Sequence, residues 1–115
     1  LYPARVRPIK GRVILVEGIF DMLNLHDKGL TNAVCCFGTR NIDIDKLKLL
    51  KMQGVSAVDI LFDPDEAGQE AALRIVEFCE IAELLSKNIK LPVQLGDAGA
   101  LNKQKVKDLK ERLYG

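Results

Sequence analysis

Two short acidic stretches hold the residues best suited to chemistry. Glu17-Gly18 closes the run Arg12–Val16, and Asp63-Pro64-Asp65 closes the apolar run Ala57–Phe62. A third acid, Asp97 of Gly96-Asp97, follows the run Leu91–Leu95. Carboxylates brought within a few ångström of one another repel and raise each other's pKa unless a cation neutralises them. Magnesium is the expected cation, with manganese the possible substitute. It is a hard ion that takes one or two carboxylates, keeps several waters and bridges to substrate phosphate. No thiol or imidazole lies at these run ends apart from the run containing Cys35 and Cys36, which disfavours zinc. The i, i+2 spacing lets Asp63 and Asp65 both turn toward one ion. Pro64 stiffens the turn between them by fixing its own φ and removing a donor.

Small residues accompany the acids. Gly18 follows Glu17, Gly38-Thr39 follows the run Ala33–Phe37, and Ala67-Gly68 opens the helix after the second motif. A glycine costs a helix about 1 kcal/mol relative to alanine, so Gly68 is expected to let a backbone or a phosphate approach closely. Thr39 could hydrogen-bond phosphate. A structural reading competes. Acids at helix N-termini satisfy amide donors and the macrodipole, and Asp65 or Glu66 could do only that. An isolated D-x-D is a cap or turn more often than a metal site. The case for chemistry rests on E-G and D-x-D standing on different strands at the same end.

The elements that must position these residues alternate. Arg12–Val16 reads as a buried strand, and Ile19–Lys28 as a short amphipathic helix stopped by Gly29. Ala33–Phe37 is a second strand, and Asp43 or Asp45 caps a helix with Leu47, Leu49, Leu50 and Met52 on its apolar face. Ala57–Phe62 is a third strand, Asp65–Leu85 a long helix, Leu91–Leu95 a fourth strand and Lys103–Leu113 a final helix. Strands apolar on both faces and separated by helices predict an α/β fold, a Rossmann-like three-layer sandwich with a mainly parallel four-stranded sheet. The functional edge of such a sheet lies beyond the carboxyl ends of its strands, where Glu17, Asp63, Asp65 and Asp97 fall.

Composition bounds the classes. The chain has 115 residues, 48% of them apolar and 29% charged, which predicts one globular domain rather than a disordered or coiled-coil chain. Its apolar runs are too short to span a bilayer, and no signal peptide precedes them. The opening Leu1-Tyr2-Pro3-Ala4-Arg5 without an initiator methionine reads as an excised domain. Net charge is +1, so total charge does not mark a nucleic-acid binder. The cations are uneven, however: Arg5, Arg7, Lys10 and Arg12 stand without an acid in the first dozen residues, and the tail from Lys103 to Arg112 is also basic. Both stretches read first as solvated surface and second as phosphate contacts. Three cysteines without a secretory signal indicate a reducing, cytoplasmic setting. A single histidine, His26, disfavours Ser-His-Asp and Cys-His chemistry.

The combination resembles the TOPRIM domain, shared by type IA and type II topoisomerases, bacterial primases and several nucleases. The carrying stretches are Val13-Ile14-Leu15-Val16-Glu17-Gly18-Ile19-Phe20-Asp21 and Asp59-Ile60-Leu61-Phe62-Asp63-Pro64-Asp65-Glu66-Ala67-Gly68-Gln69-Glu70-Ala71-Ala72. Within that superfamily the chain looks most like bacterial DnaG-type DNA primases, with Phe37-Gly38-Thr39 matching their glycine-threonine turn. The resemblance runs from about Leu1 to Asp97 and implies one TOPRIM domain over 1–115, with a basic lead-in at 1–11 and a terminal helix at 103–115.

The resemblance also implies roles. Glu17 would be the metal-linked acid/base residue, Asp63 and Asp65 would hold magnesium, and Asp97 would take the place of a later acid that follows the fourth strand. Gly18, Gly38, Thr39 and Gly68 would border substrate phosphate. The implied activity is phosphoryl or nucleotidyl transfer on nucleic acid, in primase-type synthesis of RNA primers for DNA replication. Nucleic acid, nucleoside triphosphates and further domains of a larger replication protein would be its partners, with no membrane involved. A standalone TOPRIM nuclease and a non-catalytic binding module are the alternatives. Ile19 stands where primases carry an aromatic, with Phe20 next, and Arg40 stands where they carry a small residue. The zinc-binding, template-gripping and helicase-binding parts of replicative primases do not fit within this length. The domain could therefore bind metal and nucleotide yet make no primer alone.

Overall fold

The computed structural model describes residues 1–91 and 98–115. The elements are β1 (Arg12–Val16), α1 (Ile19–Asp27), β2 (Ala33–Cys35), α2 (Ile44–Met52), β3 (Ala57–Ile60), α3 (Glu66–Ile81), β4 (Leu85–Asn88) and α4 (Lys103–Tyr114). The sheet order is β2-β1-β3-β4, and every pairing is parallel. The α/β expectation holds.

Strand side chains alternate between the two faces. On one face Val13, Leu15, Val34, Val58 and Ile60 form a core with Leu47 and Leu50 of α2 and Ala72, Ile75 and Cys79 of α3. On the other, Ile14, Val16, Ala33, Leu61 and Ile89 pack with Met22 and Leu25 of α1 and Val106 and Leu109 of α4. Cys36 and Cys35 fall on opposite faces, both buried. Beside the edge strand β2 runs the N-terminal arm. Tyr2 N donates to Cys35 O at 3.0 Å, and Cys35 N donates to Tyr2 O at 2.8 Å. Gln53 holds the arm from the other side, accepting from Val6 N and donating to Ala4 O. The arm thus covers a row of backbone groups that an edge strand would otherwise expose.

The second half departs from the sequence reading. The long helix does not reach Leu85: it ends at Ile81, and Leu85 opens β4. The stop is a Schellman turn, with Leu84 N on Cys79 O at 2.8 Å and Glu83 N on Glu80 O at 3.1 Å. Glu83 holds the left-handed position at φ +61° where glycine is usual, so the sequence carries no glycine signal. The fourth strand is Leu-Ser-Lys-Asn, an edge strand exposed on alternate residues, and therefore not an apolar run. The strand expected at 91–95 lies largely outside the described residues. The strands after β1 are also shorter than expected, β2 ending at Cys35 and β3 at Ile60. Asp43, rather than Asp45, caps α2, accepting from Lys46 N.

Candidate functional site

β1 continues to β2 on one side of the sheet and neighbours β3 on the other, so the strand order reverses at β1. The crevice at such a reversal, beyond the carboxyl ends, is where open α/β sheets bind ligands. Glu17 leaves β1 there and Asp63 follows β3. The two segments are joined directly: Asp63 N donates to Glu17 Oε1 at 2.9 Å. Both residues are half-buried.

Asp65 is used differently. Its Oδ1 accepts from Gly68 N at 2.7 Å and caps α3, so one of its oxygens performs the structural task weighed above. Asp65 itself is exposed. Gly68 has a clear physical reason: a Cβ there would stand 2.3 Å from Asp63 O and 3.0 Å from Asp65 Oδ1. The close approach expected of this glycine is thus made by the Asp63 backbone. Gln69 Nε2 donates to the same carbonyl at 3.1 Å, and Asn88 Nδ2 at the end of β4 donates to Gln69 Oε1 at 3.3 Å. Asn88 Oδ1 is buried without a partner among the described residues.

The glycine-threonine corner closes the other side. Gly38 N donates to Glu17 O at 3.1 Å, and Gly38 adopts φ +108°, a conformation open to glycine. Arg74 Nη2 of α3 reaches Thr39 O at 2.9 Å. Cys36 Sγ lies 3.8 Å from Glu17 O, and burial pushes its thiol up to about 11, so it stays protonated and is a poor metal ligand. At the start of α1, Ile19 packs against the core while Phe20 is 80% exposed.

Asp97 lies outside the described residues, but the segment just after it is held by α1. Asp21 accepts from Gly18 N at 3.3 Å through Oδ2 and from Gly99 N at 2.9 Å through Oδ1. Asn24 Nδ2 donates to Ala98 O at 2.8 Å and to Leu101 O at 2.9 Å. One carboxylate and one amide on successive turns therefore tie the Glu17-Gly18 turn to residues 98–101. Asp21 was visible at the capping-box spacing from Gly18. Asn24, Gln69 and Asn88 carried no signal, since a polar residue on a half-exposed element is ordinary.

The described residues hold no group of three His, Cys, Asp or Glu side chains poised around one metal. The donor set at the crevice is oxygen only: Glu17, Asp63 and Asp65. A magnesium site fits that set, because this ion needs only one or two protein carboxylates and fills its remaining positions with water and substrate phosphate.

An open parallel sheet with acids beyond the carboxyl ends of its strands defines a Rossmann-like α/β domain, and the comparisons name its family. The Toprim domain family matches residues 11–93, and the chain belongs to that family. It is similar to the DNA primase of Chlamydia pneumoniae, 42% identical over 81 residues, which cover 70% of this chain and 14% of that protein. Among solved structures it resembles the zinc-binding and RNA polymerase domains of the Aquifex aeolicus primase, with a TM-score of 0.77, 32% identity and coverage of 90% of this chain and 25% of that one. A small TOPRIM domain protein from Bacillus stearothermophilus shares the fold, with a TM-score of 0.61, 23% identity and coverage of 88% and 83%. The chain therefore spans about one seventh of the length of the primase it matches. No helix among the described residues is long and apolar enough to cross a membrane.

Proposed function

We propose that the acidic edge carries magnesium-dependent phosphoryl or nucleotidyl transfer on nucleic acid, as the catalytic domain of a cytoplasmic, primase-type protein that makes RNA primers. The observation that carries this reading is the Glu17–Asp63 junction. A half-buried carboxylate is fixed by a backbone amide at the switch point, and no cationic side chain among the described residues pairs with it. Asp63 and Asp65, joined by Asp97, would hold the metal, which when bound would neutralise phosphate charge and lower the pKa of a coordinated hydroxyl. Glu17 would move the proton at Oε2, the oxygen that the Asp63 amide leaves open. Gly18, Gly38 and Gly68, with the Thr39 hydroxyl, would border the space where a triphosphate would lie, the glycines as small residues that allow close approach, since their N–H groups are taken by Asp21, Glu17 and Asp65. Catalysis would come from positioning and charge rather than from a covalent intermediate. Nucleoside triphosphates and further domains of a replication protein are the partners this reading requires.

Calorimetric titration of magnesium and manganese tests it, on wild type and on the Asp63→Asn/Asp65→Asn variant, with and without a nucleoside triphosphate. Binding that vanishes in the variant and tightens with nucleotide supports the proposal. Binding that persists unchanged in the variant overturns it. Carboxylate-dependent binding that nucleotide leaves unaffected, coupled with metal-dependent nicking of structured RNA or DNA, replaces it with the nuclease reading.

A further inference from the structure

A groove of about 370 Å³ lies between the N-terminal arm and α1, lined by Tyr2, Arg5, Arg7, Leu23, His26 and Thr31 among others. Its charge is one-sided. Arg5 and Arg7 are exposed, and among the described residues they make no ion pair and no acid lines the groove. The other two cations of the lead-in are committed elsewhere: Lys10 Nζ donates to Tyr114 O, and Arg12 pairs with Asp59. His26 Nε2 faces Ala33 O at 2.8 Å, so that nitrogen carries the proton and the ring is held in place.

Tyr2 lines the groove, and Phe37 stands beside it just outside. Tyr2 is 49% exposed and Phe37 53% exposed, with ring centroids 6.4 Å apart and planes tilted by 58°. Phe37 keeps this place at a cost, because its φ is +55°, a left-handed backbone disfavoured for a bulky side chain by about 1 kcal/mol or more. The next residue is Gly38, whose amide touches Glu17 O. Unpaired guanidinium groups followed by open aromatic faces are the recognition chemistry of single-stranded nucleic acid. The cations track phosphates and the rings stack bases of any sequence.

We propose that this groove binds single-stranded nucleic acid, with phosphates at Arg5 and Arg7 and a base on Tyr2 and Phe37, and that it leads the strand along the β2 edge to the Glu17 corner. The proposal deepens the functional reading above and rests on it for the direction of the strand. Its binding test needs no metal.

Fluorescence anisotropy in EDTA, with a labelled oligothymidylate of about 12 nucleotides, within the span of known single-strand sites, provides that test. The Arg5→Ala/Arg7→Ala variant should bind about tenfold more weakly, and its log–log salt slope should fall by about 1.4, the loss of two phosphate contacts. Tyr2→Ala/Phe37→Ala should also bind about tenfold more weakly, with the slope unchanged. All three residue types are exposed, and circular dichroism confirms that the variants fold. Lys105→Ala/Lys107→Ala, exposed on α4 and away from the groove, should bind as wild type does. Unchanged affinity in the arginine variant overturns the proposal, as does wild-type binding that is absent. Binding lost in Lys105→Ala/Lys107→Ala but not in the arginine variant places the strand on α4 instead, overturning the groove while leaving the site reading intact. Tighter binding of a polyglutamate peptide than of the oligonucleotide overturns it in favour of an acidic protein segment.

Discussion

Asp59 and Glu17 belong to neighbouring strands of one sheet, yet the fold treats their carboxylates in opposite ways. Asp59 sits opposite Ile14 in the β1–β3 register, and Glu17 follows just past the end of β1, about 10 Å beyond Ile14 at strand spacing. Asp59 is 0% exposed and fully engaged. Arg12 Nε reaches Oδ2 at 3.0 Å, Arg12 Nη2 reaches Oδ1 at 2.5 Å, and the Tyr114 hydroxyl donates to Oδ2 at 2.9 Å. Asn32 Nδ2 completes the group by donating to the Tyr114 oxygen at 2.8 Å. Glu17 receives one backbone amide and no cation among the described residues. A buried charge that is left unpaired destabilises the fold or gives up its charge. A half-exposed charge held by a neutral donor stays available to an external cation. The difference separates an acid that builds the sheet from an acid the sheet presents.

Removing Asp59 should show the largest effect of either kind. Asp59→Ala leaves the Arg12 guanidinium without its partner and should cost about 3 kcal/mol. This is the lower end for a broken buried pair, because the Arg12 side chain is 28% exposed. Urea denaturation of wild type and variant gives the number, and metal affinity measured on the folded fraction should not change. A loss of metal affinity with stability intact would erase the distinction between the two acids.

Glu17→Gln should do the converse. Its amide keeps a carbonyl oxygen for the Asp63 amide, so the unfolding free energy from urea denaturation should stay within about 0.5 kcal/mol of wild type, as for a surface change. Metal-dependent transfer by the parent protein should fall about 100-fold or more, the scale of losing a positioned charge or proton-transfer group. Activity retained within a few-fold would remove Glu17 from the chemistry.

How much of this was legible follows the same division. The Glu17 and Asp63 turns could be read because a β-branched or apolar run that stops at an acid is a local pattern, and the switch point then brings them together. The direction of the Asp65 side chain could not, since capping and metal binding ask for the same residue at the same place. β4 stayed hidden because an edge strand with one open face shows no apolar run, and the end of α3 because Glu83 does the work of a glycine. Asp97 remains an expectation, outside the described residues. Asp59 could have been found: an acid in the middle of Ala-Val-Asp-Ile-Leu-Phe demands a partner, and Arg12 opens the other interior strand. Its second partner, Tyr114, comes from 55 residues further along and has no local trace.

Gly68 is where the two treatments meet, since it serves a helix cap and sits beneath Asp63. Gly68→Ala places a methyl 2.3 Å from Asp63 O, a backbone atom that cannot swing aside. The expected cost is about 1–3 kcal/mol, as for overpacking, together with weaker metal binding as Asp63 shifts. Thermal denaturation and calorimetry on the same sample separate the two. Stability lost with metal affinity unchanged would mean that the α3 start moves and the Asp63 carboxylate does not depend on it.

The smallest expected effect tests the buried group through pH. Burial, and then the Asp59 charge, raise the Tyr114 phenol above its ordinary value near 10. A raised folded-state pKa means that the unfolded chain releases this proton first as pH rises. The contribution is therefore complete below pH 10 and is lost as pH climbs from there toward the folded pKa, at up to about 1.4 kcal/mol per pH unit. Tyr114→Phe should cost about 1.5 kcal/mol at neutral pH, a hydrogen bond to a charged acceptor, and the gap to wild type should close above pH 10. Cys36 and Cys79, pushed up to about 11 by burial, add alkaline sensitivity of the same sign from about pH 9. They are present in both proteins, so the difference between wild type and Tyr114→Phe isolates the phenol. A gap that stays constant through pH 11 would show that the hydroxyl is not held against Asp59, and the buried carboxylate would then rest on Arg12 alone.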